Sequence, residues 1–441
     1  MYKRLLSLCL VCCGIAAVLT ACSDYEEAVN TYELTITLQF PDATEIQKDG
    51  IRVELKSIGH DALFVDSTNT EGKAHFQITP GIYEASSSAT RKQGTNSMLV
   101  LNGNSGQIIV ETQAQQSATI HLQVSKISQM VIKEVYNGGV LKDDGKNFAY
   151  DKSIILYNNS NATVNLDNLC MGIAAPYNSQ ANNNWYGADG KLVYEKENYI
   201  PAIDGIWYFP QTLTIEPYSQ IVVCVHGAID NTLTYPQSVN YANADYYCMY
   251  DPESGYINTS YYPTPSDVIP TSHYLKAIKI GIANAWALSV TSPALFLFQT
   301  QGITPREYAT NISNMVYTPG AAQTDIYKTV KVPTDWILDG IEVFSAAHTT
   351  SNVKRLTPTV DAGYVLLTNQ HGHTLYRNVD KESTEALPEN EGLLVYGYAD
   401  DPSGIDAEAS LKNGAHIIYV DTNNSSNDFH EREKCSLRTE N

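Results

Sequence analysis

A tyrosine-rich stretch between residues 235 and 274 is the part of the sequence best suited to contact a ligand. It holds nine tyrosines interleaved with Pro, Ser, Asn and Asp, and its lack of hydrophobic periodicity predicts a long loop. Tyrosine offers rigid contact area and a hydroxyl group at low entropic cost, and its ring can stack on sugars or planar ligands. The candidate binding surface comprises Tyr246, Tyr247, Tyr250, Tyr256, Tyr261 and Tyr262. Alternatively, the loop covers a sandwich and packs its own tyrosines.

Two further aromatic stretches, 182–186 and 207–209, either extend this surface or belong to a core. Elsewhere, residues with metal-binding chemistry are too sparse to predict a site. His371 and His373 share one face of an extended chain, and Cys224 and His226 do the same, but zinc needs three or four converging ligands. The run DTNNSSNDF, from Asp421, lacks the Gly and Glu of a calcium loop and predicts an Asx-rich turn before a final strand.

Signatures of catalysis are also missing from the sequence. It contains no GxSxG, HExxH, P-loop or dinucleotide fingerprint, so we expect a protein that is not an enzyme and that carries no cofactor or metal. Glycan processing remains a third alternative, because a pair of glycosidase carboxylates needs only spatial proximity.

The N-terminus predicts lipid attachment at Cys22. Lys3 and Arg4 precede an uncharged apolar run from Leu5 to Leu19, which is shorter than the roughly 20 residues that a membrane span needs but suits a signal peptide. Residues 19–22, Leu-Thr-Ala-Cys, resemble a bacterial lipobox, in which the signal (residues 1–21) is removed and the cysteine is acylated. A plain secretory signal with incidental cysteines is the alternative.

Acidic residues follow Cys22 within an expected tether, residues 22–30. They resemble the surface-export signal of Bacteroidetes lipoproteins, which directs the protein to the outer leaflet of the outer membrane, so we expect a lipid-anchored chain facing the cell exterior. A merely flexible acidic tether is the alternative. The export residues are Ser23, Asp24, Glu26 and Glu27.

Composition narrows the classes of partner. The net charge of −20 makes nucleic acid a poor partner, because binding it requires a basic surface. No apolar run after the signal approaches the length of a membrane span.

Four cysteines remain after Cys22, and they are either paired in disulfides or buried as free thiols: Cys170, Cys224, Cys248 and Cys435.

Residues 31–126 predict a small antiparallel β-sandwich. Leu34, Ile36 and Leu38 alternate with polar residues, and similar short alternating runs recur to give six or seven strands. The run from Asp66 to Ser88, with its Gly-Lys-Ala and Pro-Gly turns, resembles the prealbumin-like or carboxypeptidase-regulatory-like sandwich. Ser67 lies in an Asp-Ser-Thr triplet that resembles the O-glycosylation site of exported Bacteroidetes proteins.

Residues 130–435 predict a larger β-structure. A strand at Ser153–Tyr157 is followed by a polar turn and a second strand, and the apolar run from Pro293 to Phe298 predicts a strand buried on both faces. We also expect a hairpin at Asp339-Gly340 and a short helix over 272–287, capped by Ser272.

These patterns resemble a lamin-tail-like (Ig-like) β-sandwich with long insertions. Ile154, Leu156, Tyr157 and Asn158 match its "Ile-Glu-Leu-Tyr-Asn" strand, whereas Ile155 replaces the usual acid. Together with blocks at 213–227, 285–298, 332–344, 360–365 and 421–429, in that order, the chain resembles DUF4876, a Bacteroidetes lipoprotein family.

The DUF4876 resemblance implies an exported, mainly β protein, often found beside TonB-dependent outer-membrane transporters, with no implied reaction. We therefore expect non-catalytic binding of a glycan, small ligand or partner protein, as an accessory to such a transporter. A structural or adhesive surface protein is the main alternative.

Overall fold

The computed structural model describes residues 30–41, 47–59, 62–93, 97–112, 115–125 and 128–438. The predicted signal peptide, Cys22 and the export residues Ser23, Asp24, Glu26 and Glu27 lie outside these residues. The described chain is mainly β, as the alternating patterns predict.

Residues 32–125 form an N-terminal sandwich of eight strands. These are β1 (Tyr32–Gln39), β2 (Arg52–Ser57), β3 (Leu63–Ser67), β4 (Lys73–Ile78), β5 (Gly81–Gln93), β6 (Ser97–Val110), β7 (Gln115–His121) and β8 (Gln123–Ser125).

The N-terminal sandwich pairs a sheet of order β4-β1-β7 with a sheet of order β3-β2-β5-β6-β8. Its core follows from alternation, since Leu34 and Ile36 of β1 and Val53 and Leu55 of β2 are fully buried while their neighbours point outward. Strand β7 runs parallel to β1, so the expectation of an entirely antiparallel sandwich is wrong at this pair.

Residues 130–432 form a C-terminal sandwich that contains the remaining strands. These are β9 (Met130–Tyr136), β10 (Val140–Leu141), β11 (Asn147–Phe148), β12 (Ser153–Asn158), β13 (Val164–Leu166), β14 (Leu169–Ile173), β15 (Tyr199–Ala202), β16 (Gly205–Tyr208), β17 (Leu213–Ile215), β18 (Gln220–Cys224), β19 (Tyr247–Cys248), β20 (Lys276–Lys279), β21 (Ala294–Gln299), β22 (Met315–Tyr317), β23 (Lys328–Pro333), β24 (Ile337–Ser345), β25 (Val365–Leu367), β26 (Thr374–Arg377) and β27 (Phe429–Arg432).

Two six-stranded sheets dominate the C-terminal sandwich, with orders β19-β18-β12-β9-β26-β27 and β20-β16-β14-β21-β24-β25. The main core lies between them. Strand β21 confirms the prediction of a strand buried on both faces: Leu295 and Leu297 point into the main core, whereas Phe296 and Phe298 point into a second cluster behind the sheet.

Helices in the described residues are short. They are α1 (Pro305–Thr310), α2 (Lys381–Glu385), α3 (Ala407–Lys412) and α4 (Ser425–Asp428), with 3₁₀ turns at Asn231–Leu233, Thr271–His273, Ile312–Asn314, Asp325–Tyr327, Thr334–Trp336, Ala346–His348 and Pro388–Asn390. None of the helices in this part of the chain is long and apolar enough to cross a bilayer. The Asx-rich run at 421–429 forms a turn capped by Asn424 and helix α4 directly before β27.

The expected helix over 272–287 is wrong. A 3₁₀ turn at Thr271–His273 leads instead into β20, which pairs antiparallel with β16. Ala277 and Ile278 are buried by this pairing, so tertiary packing overrides local helix propensity.

The expected hairpin at Asp339-Gly340 is also wrong, because β24 runs straight through both residues. Asp339 is buried and bonds to Arg377 rather than turning the chain. A Cβ at Gly340 would lie 2.9 Å from Val360 Cγ1, so glycine here permits a close approach of the neighbouring loop.

Candidate functional site

Two of the six candidate tyrosines belong to the core rather than to a surface. Tyr256 and Tyr262 are 6% and 8% exposed, and their ring centroids lie 5.8 and 5.6 Å from Trp207. The Tyr262 hydroxyl donates to the carbonyl of Trp286 at 2.9 Å and accepts from its N–H at 3.1 Å. Hydrogen bonding offsets the cost of burying a phenol, which corrects the sequence-based surface assignment for this pair.

The other four candidate tyrosines are half-buried, and three of them pack against other aromatic rings of the chain. Tyr247 stacks on His273 with 4.2 Å between centroids, and Tyr250 meets Tyr274 edge to face at 5.5 Å. Tyr261 packs at 5.0 Å against Tyr150. Tyr246 borders the buried cluster around Cys224, Cys248 and Cys435. The stretch thus packs against the main core and the neighbouring cysteine cluster, with much of its aromatic surface in contact with other side chains of the chain.

Each of the two additional aromatic stretches places a tryptophan in the core. Trp185 of the stretch 182–186 is 2% exposed, and Trp207 of the stretch 207–209 is 1% exposed. Tyr186 lies elsewhere, in a cavity that the sequence does not predict. Its hydroxyl donates to the carbonyl of Lys354 at 3.2 Å.

That cavity opens between the two sandwiches, which meet through polar groups. The outward face of the N-terminal sandwich supplies Lys56, whose Nζ donates to Ser426 Oγ at 2.8 Å, and Asn104, whose Nδ2 donates to the carbonyl of Ala362 at 3.1 Å. Ser88 Oγ donates to the carbonyl of Thr422 at 3.2 Å. Strand alternation creates this face, because Val53 and Leu55 point into the core and the residues between them point away.

Two adjoining cavities lie along this contact, with volumes of about 410 and 520 Å³. They share Ile58, Glu84, Phe344 and Asn352 as lining residues, so we treat them as one inter-sandwich cleft. The first cavity is also lined by Asn104, Gln107, His121, Gln123, Tyr186, Asp189, Lys191, Leu192, Glu195 and Lys354, and the second by Lys56, Leu63, Tyr364, Leu366, Ser426 and Glu431. Each volume lies in the range of about 300–1,000 Å³ typical of ligand pockets.

A fully buried ion pair supports one wall of the inter-sandwich cleft. Arg355 contacts Glu342 Oε1 through Nη2 at 2.7 Å and Nε at 2.9 Å, and both side chains are fully buried. Glu342 Oε2 accepts from the backbone N–H groups of Arg355 and Leu356 at 2.7 and 2.8 Å. These bonds fix the segment from Asn352 to Pro358 against β24, so this wall of the cleft is pre-organised.

Aromatic rings and amides complete the same wall. Phe344 stacks on Tyr364 with 4.0 Å between centroids, and Lys56 Nζ lies 4.4 Å from the Tyr364 ring. Asn352 bridges Ser345 through its amide, donating at 2.9 Å and accepting at 3.1 Å. Burial lowers the pKa of Lys56 and raises that of Tyr364.

A buried acidic cluster supports the loop on which the N-terminal sandwich rests. Arg377 bonds to Asp339 and lies 3.5 and 3.6 Å from Asp421 and Asp428. Burial raises the pKa of Asp421 to about 8 and that of Asp428 to about 7, and Arg377 offsets only part of this effect. Thr422, within this loop, accepts hydrogen bonds from the N-terminal sandwich.

The remaining predicted site residues lie apart from the cleft. Ser67 is exposed on β3, an edge strand of its sheet. The alternative of free thiols describes the structure, because Cys170, Cys224, Cys248 and Cys435 are all unpaired and buried.

The histidines do not assemble into a ligand set. Within the described ranges, no group of three or more His, Cys, Asp or Glu side chains could hold a metal ion. His373 pairs with Glu431 at 2.8 Å, and His226 is buried against Tyr261 and Tyr262, where burial lowers its pKa.

Sequence reasoning missed the cleft because its lining residues are drawn from distant segments. Glu84, Tyr186 and Phe344 are separated by 100 or more residues. The polar outward faces of β5 and β6 show the same alternation as solvent-facing strands, so no local signal distinguished them.

Comparison with known proteins identifies relatives of the chain. No curated protein matches it. A crystal structure of a DUF4876 family protein from Bacteroides thetaiotaomicron has a TM-score of 0.52 and 19% identity, covering 90% of this chain and 94% of that chain, and it shows a shared fold.

Two other matches are too distant to carry an argument. A putative adhesin from Bacteroides ovatus gives a TM-score of 0.17 and 12% identity, covering 29% of this chain and 61% of that one. A DUF3823 family protein from Parabacteroides merdae gives a TM-score of 0.16 and 5% identity, covering 71% of this chain and 98% of that one.

The model of the DUF4876 family, described as protein of unknown function, matches residues 216–436, which is half of the sequence. The chain therefore belongs to the DUF4876 family.

Proposed function

We propose that this protein is an outer-membrane lipoprotein, exposed at the cell surface, that captures a ligand in the inter-sandwich cleft without catalysing a reaction. The observation that carries the proposal is the cleft itself, two adjoining cavities with one wall fixed by the buried Arg355–Glu342 pair. A pre-organised wall favours binding because little side-chain freedom is lost when the ligand enters.

The cleft can be blocked without disturbing the core. Gln107 is exposed on β6, directly opposite Glu84 on β5, and both line the first cavity. We expect Gln107→Trp to fill this cavity and abolish ligand capture. The matched control is Gln237→Trp, at an exposed position in the tyrosine-rich stretch.

Capture is measured by incubating each variant with a small-molecule extract of culture medium and identifying retained compounds by mass spectrometry. The proposal expects compounds retained by the wild type and Gln237→Trp but not by Gln107→Trp. Equal retention by all three would contradict the proposal by placing the binding site outside this cavity, and retention by none would contradict it and favour the structural or adhesive alternative.

The anchor rests on the sequence around Cys22 and has its own test. Cys22→Ser should release the chain from the membrane fraction and remove incorporation of labelled fatty acid, since stable anchoring needs the acyl chains. Replacing Asp24, Glu26 and Glu27 with Ala should leave the anchor but protect the chain from protease added to whole cells.

A transporter partner is the most specific part of the proposal. We expect a TonB-dependent outer-membrane transporter to co-purify with the wild type after gentle detergent extraction. Reproducible absence of any such transporter would restrict the function to ligand capture alone.

A further inference from the structure

We infer that the inter-sandwich cleft takes a neutral, hydroxyl-rich ligand of the oligosaccharide class. This inference rests on the proposed function and names the chemistry of its ligand. It follows from the hydrogen-bonding groups in the cleft, the engagement of its cations and the apolar surfaces between them.

Hydrogen-bond acceptors are abundant in the first cavity. Glu84, Asp189 and Glu195 line it together with the amides of Gln107 and Gln123. Asn104 Nδ2 donates to Glu84 Oε1 at 2.6 Å, and Gln123 Nε2 donates to Glu195 Oε1 at 3.3 Å. A carboxylate has about four lone-pair sites, so each of these retains capacity for ligand hydroxyl groups.

Two cations at the cleft, Lys56 and Lys354, are engaged by the protein, whereas Lys191, which also lines the first cavity, is exposed. Lys354 Nζ donates to the carbonyl of Gly363, and Lys56 donates to Ser426 while lying over Tyr364. Their charge is therefore directed into the wall rather than toward a ligand. The three carboxylates of the first cavity are partly balanced by Lys191 and by Lys196, which pairs with Asp189 at 3.0 Å, so it is mainly the net charge of −20 over the chain that disfavours anions.

Apolar surfaces lie between these polar groups. Ile58, Leu192 and Phe344 line the first cavity beside the ring of Tyr186. A sugar ring matches this arrangement, because it presents a C–H face for apolar and aromatic contact and hydroxyl groups at its edge. A wholly apolar ligand would instead leave the carboxylates desolvated without partners, which is costly.

The inference is tested by titration calorimetry of the full mature chain with three probe classes. These are neutral di- to tetrasaccharides, the corresponding uronic-acid oligosaccharides, and trilysine. We expect binding of at least one neutral saccharide, with no binding of its uronic-acid counterpart or of trilysine.

Two conservative variants then locate the contact. Glu84→Gln and Glu195→Gln each keep an oxygen that can accept from Asn104 or Gln123, so the wall is preserved while the charge is lost. Since a hydrogen bond to a charged group contributes more than a neutral one, each should weaken saccharide binding about tenfold. Glu253→Gln, the same change at an exposed site in the tyrosine-rich stretch, should bind like the wild type, and thermal unfolding verifies that all variants fold.

The outcomes separate this inference from the proposed function. Binding of trilysine or of the uronic-acid oligosaccharide, abolished by Gln107→Trp, would overturn the assignment of a neutral oligosaccharide and leave capture in the cleft standing. Saccharide binding that is unchanged in Gln107→Trp, Glu84→Gln and Glu195→Gln would overturn the assignment to this cleft. Absence of binding by every neutral saccharide would also overturn the inference, whereas retention of other compounds from the extract would still support the proposed function.

Discussion

The tyrosine-rich stretch and the inter-sandwich cleft contrast in how each uses its aromatic side chains. In the stretch, Tyr247 stacks on His273 and Tyr262 packs on Trp207, so ring faces are consumed by contacts within the chain. In the cleft, Tyr186 lines open volume beside carboxylates and amides, and Phe344 lines the same volume although it stacks on Tyr364. The tyrosine-rich stretch is a candidate binding site on residue type alone, whereas the inter-sandwich cleft forms only where the two sandwiches meet. The contrast predicts that substitutions in the stretch lower stability more than ligand affinity. Substitutions of side chains at the cleft surface should lower ligand affinity more than stability.

The largest expected effect on stability comes from the buried Arg355–Glu342 ion pair that supports one wall of the cleft. Arg355→Met should destabilise the fold by about 3–5 kcal/mol, because it leaves the buried Glu342 carboxylate without its partner. Denaturant unfolding measures this change. A double variant with Glu342→Gln should recover much of the loss, because it removes the unpaired charge while its amide oxygen can still accept from the backbone N–H groups of residues 355 and 356, and failure to recover it would contradict the ion-pair account.

Tyr262→Ala should cost about 3 kcal/mol or more, since it removes a buried ring and the two hydrogen bonds to Trp286. The same unfolding measurement checks it, with Tyr262→Phe as the variant that keeps the ring. Unchanged stability of Tyr262→Ala, with weakened ligand binding, would restore the tyrosine-rich stretch as the binding surface.

A pH effect is expected from the acidic cluster beneath the contact between the sandwiches. The folded-state pKa values of Asp421 and Asp428, about 8 and 7, lie above the ordinary 3.8, so the folded chain binds more protons than the unfolded chain between these limits. Their contribution to stability is therefore lost as pH rises from about 4 toward 8.

Asp421→Asn isolates this effect from the other titrating groups. The stability of the variant relative to the wild type should rise by on the order of 3 kcal/mol between pH 5 and pH 8, because the wild-type carboxyl loses its contribution progressively over this range. Unfolding free energies of both proteins at the two pH values measure it. An equal difference at both would show that Asp421 titrates normally.

The smallest expected effects compare two half-buried tyrosines. Tyr247→Ala should cost about 1–2 kcal/mol through lost contact with His273 and Phe209, without changing ligand affinity. Tyr186→Phe should cost about 1 kcal/mol, the contribution of one hydrogen bond to Lys354. If Tyr247→Ala instead weakens binding at unchanged stability, the contrast between the two regions fails.

Much of the fold follows from local alternation, but only where a strand has one buried face. Leu34, Ile36 and Leu38 identify β1, and the apolar run at β21 indicates burial on both faces. The local pattern at Asp339-Gly340 predicts a turn because it does not reveal Arg377, the distant partner that stabilises a carboxylate inside a strand. The local pattern predicts a helix capped by Ser272 because it does not reveal β16, the distant strand that pairs with β20.

The candidate site was less predictable than the fold. Tyrosine content indicated a contact-rich surface without distinguishing contacts inside the chain from contacts with a ligand. The cleft required the docking of Lys56, Ser88 and Asn104 against residues more than 250 positions away, and short-range patterns carry no record of such contacts.

Hydrogen–deuterium exchange with and without the retained ligand tests the central claim most directly. The account predicts slower exchange in the cleft segments 84–88, 104–107 and 352–358, with the tyrosine-rich segment 246–262 unchanged. Slower exchange confined to 246–262, or no change anywhere with a ligand that binds, would contradict the assignment of the inter-sandwich cleft as the binding site.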